Sequence, residues 1–182
     1  MPESQKKIWV TGASSGIGKA VAEKFAKEGW KVAVSARRKE LLNEMSKNEN
    51  IFSFPLDVTN SDDCKNTFDK ILKQFVNLDI CFLCSGTYDP KKEQEINIDQ
   101  NKFVMNVNYF GTLNCVKSVE EYFKKEKKGH ISIVSSIAGY RGLPNSSGYG
   151  PSKAALTNFA ESIYFDFKKY NVKVSVVHRV HK

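Results

Sequence analysis

The chain of 182 residues is 41% apolar and 26% charged, the balance of one soluble domain, which excludes a disordered polypeptide, and 11 Gly with 5 Pro exclude a collagen-like one. No apolar run nears the ~18 residues that cross a bilayer; the longest, Ile80-Cys81-Phe82-Leu83-Cys84, has five. The net charge of +8 is mostly lysine, with four Arg among 28 basic residues, whereas base reading and phosphate forking lean on arginine. The polar start, Met1 to Lys7, has no apolar stretch behind it for a signal peptide. The expectation is a single cytoplasmic domain over residues 1–182, with no nucleic-acid and no membrane partner.

Taken from the N-terminus, Lys7 to Thr11 reads as a short strand bounded by Gly12. Ile17, Val21 and Phe25 then recur every four residues as one helix face. A second strand is predicted over Lys31 to Ala36, a short helix over Lys39 to Ser46 and a third strand over Ile51 to Leu56. Cys64, Phe68, Ile71, Leu72 and Phe75 keep helical spacing, and Leu78 to Cys84 reads as a buried fourth strand. An amphipathic stretch ends in Lys124-Lys125-Glu126-Lys127-Lys128, a solvated last turn where cations suit the helix dipole. His130 to Ser135 is the fifth strand and Val172 to His178 the sixth, with Leu156, Phe159, Ile163 and Phe167 marking the helix between them. Near-continuous apolar strands alternating with amphipathic helices predict an α/β, doubly wound parallel sheet, with ligands beyond the carboxyl ends of its strands.

Thr11-Gly12-Ala13-Ser14-Ser15-Gly16-Ile17-Gly18 joins the first strand to the first helix. Glycines at this spacing permit a tight turn and close backbone approach to a pyrophosphate, and the helix N-terminus offers it free N–H groups. No Gly-Lys-Ser/Thr follows, so this is not a Walker loop. Where an acid would hold a ribose 2′-hydroxyl, about 20 residues further on, the chain reads Ser35-Ala36-Arg37-Arg38. Two guanidinium groups there pair with a 2′-phosphate, favouring NADP(H) over NAD(H). The alternative is a solvated cap before the next helix.

Tyr149-Gly150-Pro151-Ser152-Lys153 opens a helix, with proline in its first turn. Tyrosine and lysine four apart share a face, and a nearby ammonium lowers a phenol pKa toward working pH. Tyr88/Lys92 and Tyr164/Lys168 repeat the spacing, yet only Tyr149 has a serine thirteen residues earlier, Ser136, at the end of the fifth strand. Cys81 and Cys84 fall on opposite faces of a strand, no second pair completes four ligands, and His130, His178 and His181 lack zinc-site spacing. No metal site is expected, and the cysteines read as small buried hydrophobes.

Together Thr11-Gly12-x-x-x-Gly16-Ile17-Gly18, Asp57-Val58, Ser136 and Tyr149-x-x-x-Lys153 resemble the short-chain dehydrogenase/reductase family, in order and over nearly the whole chain. The resemblance implies a Rossmann fold, with the cofactor half in about residues 1–90 and the catalytic half in about 91–178. It implies that Tyr149 exchanges a proton with the substrate oxygen and that Lys153 lowers the Tyr149 pKa and holds the nicotinamide ribose. Ser136 would bond the substrate carbonyl, and Asn108 would hold a proton-relay water. Gly12, Ser14, Ser15, Gly16, Ile17 and Gly18 would cradle the pyrophosphate, Arg37 and Arg38 the 2′-phosphate, and Asp57 and Val58 the adenine. Cys84-Ser85-Gly86 stands where the family has Asn-Ala-Gly; glycine keeps the close approach to cofactor, and Cys84 is a weaker hydrogen-bonding group.

The resemblance stops at His178, after which Arg179-Val180-His181-Lys182 replaces the family's Pro-Gly, substrate lid and last strand. The expectation is therefore a six-stranded, C-terminally shortened member, with 179–182 as a tail outside the pattern. Its substrate would be a small carbonyl or secondary alcohol near Ala138, Tyr140, Leu143 and Tyr88, and its assembly a homodimer or homotetramer. Two functions follow: an NADP(H)-dependent oxidoreductase, or a catalytically impaired NADP(H)-binding remnant.

Overall fold

Alternate residues of each short strand feed two different cores, which fixes the layering of the molecule. In the computed structural model, which describes residues 5–180, the strands are β1 (Lys7–Thr11), β2 (Lys31–Ser35), β3 (Ile51–Ser53), β4 (Ile80–Leu83), β5 (His130–Ser136) and β6 (Lys173–Arg179). They form one parallel sheet in the order β3-β2-β1-β4-β5-β6. Residues 1–4 of the polar start, and His181 and Lys182 of the expected tail, lie outside the described residues. The helices are α1 (Gly16–Lys27), α2 (Lys39–Met45), α3 (Ser61–Phe75), α4 (Ile98–Met105), α5 (Gly111–Glu126) and α6 (Tyr149–Lys168). Ile8, Val10, Val32 and Val34 pack on α1 and α2; Trp9, Ala33, Cys81, Ile131 and Ile133 pack on α3, α5 and α6. The strand order reverses between β1 and β4, the place where doubly wound sheets open a crevice.

The expected strands are all present, with shifted ends. The ladder of β3 is assigned only to Ser53, although Phe54 and Leu56 still donate to Val34 and Ala36 (2.9 and 3.1 Å), and Pro55 between them faces the open edge of the sheet, where it needs no N–H. β6 runs on to Arg179, which pairs with Ser136. Cys81 joins one core and Cys84 packs against the other, so the two thiols cannot share a ligand. The lysine run is solvated except at its start: Lys124 bonds Glu120 (2.6 Å) and lies over the rings of Phe167 and Tyr170 (5.2 and 5.5 Å), while Lys125, Glu126, Lys127 and Lys128 are exposed. No helix among the described residues is long and apolar enough to cross a membrane.

Helix starts differ in a way that matters at the site. Asn60 caps α3 by accepting from Asp62 and Asp63 N–H (3.0 and 3.1 Å), and Asn97 caps α4. α1 and α6, which open at the carboxyl edge of the sheet, have no side-chain cap from their own N-cap residue and no acid in the first turn. Between α4 and α5 the chain makes a π turn over Asn106–Phe110, an irregularity that often marks a functional position. Phe123 of α5 is fully buried against α3 and the sheet. Phe123→Ala is therefore expected to destabilise the fold by about 3–5 kcal/mol, read as a lower urea midpoint at unchanged slope.

Candidate active site

A cleft of about 540 Å³ opens along the carboxyl edge, centred on the reversal point between β1 and β4. Its first wall is the β1–α1 turn. Gly12 has φ +66, and a Cβ there would fall 2.7 Å from the Cys84 carbonyl oxygen; one on Gly18 would fall 2.5 Å from the Gly12 carbonyl. Gly16, at φ +56, has no heavy atom within 4 Å of where its Cβ would stand, so the backbone here faces open cleft. The uncapped N–H groups of α1 point to the same space. These residues fit a bound pyrophosphate, whose oxygens would take the bonds the turn leaves unmade. Thr11 fixes the opposite lip: its hydroxyl accepts from the Cys84 and Ser85 N–H groups (3.2 and 3.3 Å).

At the β2 end of the cleft, Arg38 folds over the glycine turn, donating to Ser14 Oγ (3.1 and 2.8 Å) and Ser15 Oγ (2.7 Å). Arg37 lies beside Asp57. Partial burial pushes the Asp57 carboxyl up, but the Thr59 backbone N–H, the Thr59 hydroxyl and the Arg37 guanidinium together hold it below the ordinary carboxylate range. Asp57 Oδ1 accepts both Thr59 donors (3.0 and 2.8 Å), which orients the carboxylate.

At the other end β5 delivers Ser136, fully buried, and α6 delivers Tyr149 and Lys153. The Ser136 hydroxyl bonds the Tyr149 phenol and accepts from Ala138 N–H (3.2 Å). Lys153 Nζ donates to the Val134 carbonyl (3.0 Å) and stands 5.7 Å from the centre of the Tyr149 ring. Burial pulls the Lys153 pKa down from its ordinary 10.5 to about 8, with the Arg179 guanidinium adding to the fall and Cys84 opposing it. The Tyr149 phenol moves up from its ordinary value, the reverse of the sequence expectation. Desolvation outweighs the Ser136 bond and the Arg179 charge. Burial likewise pushes the Cys84 thiol up.

Asn108 lies in the π turn. Its amide oxygen accepts from Thr87 N–H (2.7 Å), and its amide nitrogen donates to the Thr87 carbonyl (3.1 Å) and to Ser152 Oγ (2.9 Å). The side chain thus ties the segment after β4 to α6.

These features have close counterparts. A profile of the short chain dehydrogenase family matches residues 6–179. The chain belongs to the short-chain dehydrogenase/reductase family. It is 34% identical over 172 residues to dehydrogenase/reductase SDR family member 7 of Mus musculus, covering 90% of this chain and 51% of that protein. A solved structure of ElxO with NADP bound superposes with a TM-score of 0.89 at 28% identity, covering 96% of this chain and 73% of that one. A structure of NAD+-bound xylitol dehydrogenase gives 0.86 at 29% identity, over 95% and 69%. The chain spans about half the length of the mouse relative.

Of the residues singled out from the sequence, Gly12, Ser14, Ser15, Gly16, Ile17, Arg37, Arg38, Asp57, Val58, Cys84, Ser85, Gly86, Tyr149 and Lys153 border the one cleft. Gly18, Asn108 and Ser136 stand behind its wall. Tyr140 and Leu143, expected at the substrate, are exposed, whereas Tyr88 stacks on Tyr149 with ring centres 4.4 Å apart. Arg179, read as tail, also borders the cleft and falls within the matched residues. A lysine whose folded pKa lies below its unfolded value sheds its proton on folding, so stability rises with pH between about 8 and 10.5. Relative to Lys153→Met, the wild-type unfolding free energy should gain about 2 kcal/mol from about pH 7.5 to about 9.5, measured by urea titration.

Proposed function

We propose that this chain is an NADP(H)-dependent oxidoreductase interconverting a small carbonyl and a secondary alcohol, with Tyr149 as general acid and base. The observation that carries the reading is the meeting of Tyr149, Ser136 and Lys153 at one end of the cleft whose other end is the glycine turn and the arginine pair. When bound, the nicotinamide cofactor supplies the hydride chemistry; the chain supplies orientation and the proton. Its raised pKa keeps the Tyr149 phenol protonated at neutral pH, the form that a general acid needs in carbonyl reduction. Ser136 holds the phenol and offers its hydroxyl to the same substrate oxygen. As the proton leaves Tyr149, the Lys153 ammonium across the ring face stabilises the phenolate. Lys153 would hold the nicotinamide ribose, Asp57 and Val58 the adenine, and Arg37 and Arg38 a 2′-phosphate. The Asn108 tie keeps α6 in register with the cleft. Exposed Phe110 and Phe165, at the head of α5 and on α6, support a homo-oligomer.

Tyr149→Phe should lower kcat about 10²–10⁴-fold while the NADPH Kd, read by fluorescence titration, stays within about threefold. A wild-type chain that binds NADPH and turns over no aldehyde or ketone would instead establish the remnant reading. Arg38→Ala should raise the NADPH Kd about 10–100-fold, the worth of a charge-assisted bond or two, and leave the NADH Kd nearly unchanged. Equal weakening of both cofactors would remove the case for NADP(H).

A further inference from the structure

The segment between β4 and α4 has no regular structure and reads as a solvated stretch of charge, Lys91-Lys92-Glu93-Gln94-Glu95. One residue in it breaks that pattern. Glu93 is 3% exposed, while its neighbours on both sides are exposed. Its Oε2 accepts from the N–H groups of Gly148 (2.8 Å) and Tyr149 (3.0 Å), and Oε1 is buried with no hydrogen-bond partner among the described residues. A buried carboxylate is costly unless hydrogen-bonded, and here the bonds made are with the first turn of α6.

That turn cannot cap itself. Its N-cap is Gly148, which has no side chain to cap with, and a Cβ there would crowd Asn101, at 2.9 Å from Oδ1 and 3.1 Å from Cα. The carboxylate reaches in from another segment to do that work, and negative charge at a helix N-terminus is favourable in itself. The same segment holds the tyrosine a second time: Tyr88 stacks on the Tyr149 ring and bonds the Asn145 carbonyl and Ser146 hydroxyl (3.1 and 3.2 Å). Lys153, one turn further along α6, is fixed separately by the Val134 carbonyl.

We propose that Glu93 is a positioning residue for Tyr149: its carboxylate, bonded to the Tyr149 N–H and to the N–H before it, fixes where α6 begins and so where the phenol meets Ser136. The inference rests on the reading of Tyr149 as general acid. Because Lys153 and the glycine turn are held by other contacts, losing Glu93 displaces the phenol and spares cofactor binding.

The test compares wild type, Glu93→Ala, Glu93→Gln and Glu93→Asp. It measures NADPH Kd, kcat and KM on an aldehyde and ketone panel, and amide hydrogen exchange at Gly148 and Tyr149. Glu93→Ala should lower kcat per NADPH-binding site about 10–100-fold, as expected of a displacement near 1 Å, leave the NADPH Kd within about threefold, and speed exchange at both amides. Glu93→Gln, whose amide oxygen still accepts, should recover most of kcat and of the protection. If the alanine variant does not fold, Glu93→Asp, one methylene short, must show the same loss of kcat and protection. A kcat within about twofold of wild type in the folded alanine or aspartate variant overturns the proposal, as does a fall in kcat with unchanged amide exchange. If the wild type turns over nothing on the panel, the proposed activity fails, and unchanged exchange in the variants alone then overturns the role of Glu93.

Discussion

Lys153 puts an ammonium group inside the protein, 5% exposed, and the carboxyl edge of the sheet is arranged around that constraint. The Val134 carbonyl, at the end of β5, takes one of its protons. Gly86 borders it, where a Cβ would touch Nζ at 3.6 Å and crowd the Asn108 amide oxygen at 3.3 Å. Gly139 lets the turn after β5 press onto the Lys153 backbone, where a Cβ would come within 2.8 Å of its carbonyl carbon, and Ser135 Oγ donates to the Lys153 carbonyl (2.9 Å). β4, β5 and α6 therefore converge on one lysine. The depressed pKa measures how incompletely they compensate its charge.

Tyrosine and lysine spacing alone does not make this site, and the chain contains its own control. Tyr164 and Lys168 adopt nearly the same arrangement, with Nζ 5.4 Å from the ring centre against 5.7 Å at Tyr149 and Lys153. Yet that pair sits on the outer side of α6, with Tyr164 exposed. Helical periodicity brings such a pair together anywhere. Only the strand that ends in Ser136 gives the inner pair a hydroxyl, a desolvated phenol and a cleft. This is why the serine thirteen residues upstream was the informative part of the pattern.

The parallel sheet, the glycine turn and the meeting of Ser136, Tyr149 and Lys153 were legible because each rests on local rules: short apolar strands between amphipathic helices, glycine where a Cβ has no space, serine at a strand end. What could not be read is what tertiary burial decides. The direction of the Tyr149 shift follows from its burial, which outweighs the opposing Ser136 bond, and the sequence does not say that Tyr88, expected near the substrate, stacks on the Tyr149 ring. Glu93 stands in a run of charged residues, and nothing in its own neighbourhood says that it turns inward. Its signal lies 55 residues away, in a helix whose N-cap, Gly148, has no side chain to cap it. Arg179 joined the cleft because β6 runs one residue beyond its predicted end, in register with Ser136.

These contacts hold the start of α6 from two sides. From the helix before it, Asn108 in the π turn grips Ser152, whose hydroxyl in turn donates to the Tyr149 carbonyl (2.7 Å). From the segment after β4, Glu93 grips the Tyr149 N–H and Tyr88 covers its ring. Asn108 also holds both backbone groups of Thr87, so the two grips are joined to each other as well as to the helix. In the role proposed for Tyr149 such restraint is an advantage, because a donor fixed before substrate arrives spends no binding energy on ordering itself. The same wiring makes the irregular segment between β4 and α4 part of the frame around Tyr149: displacing it would loosen the helix start, the ring packing and the Asn108 tie at once.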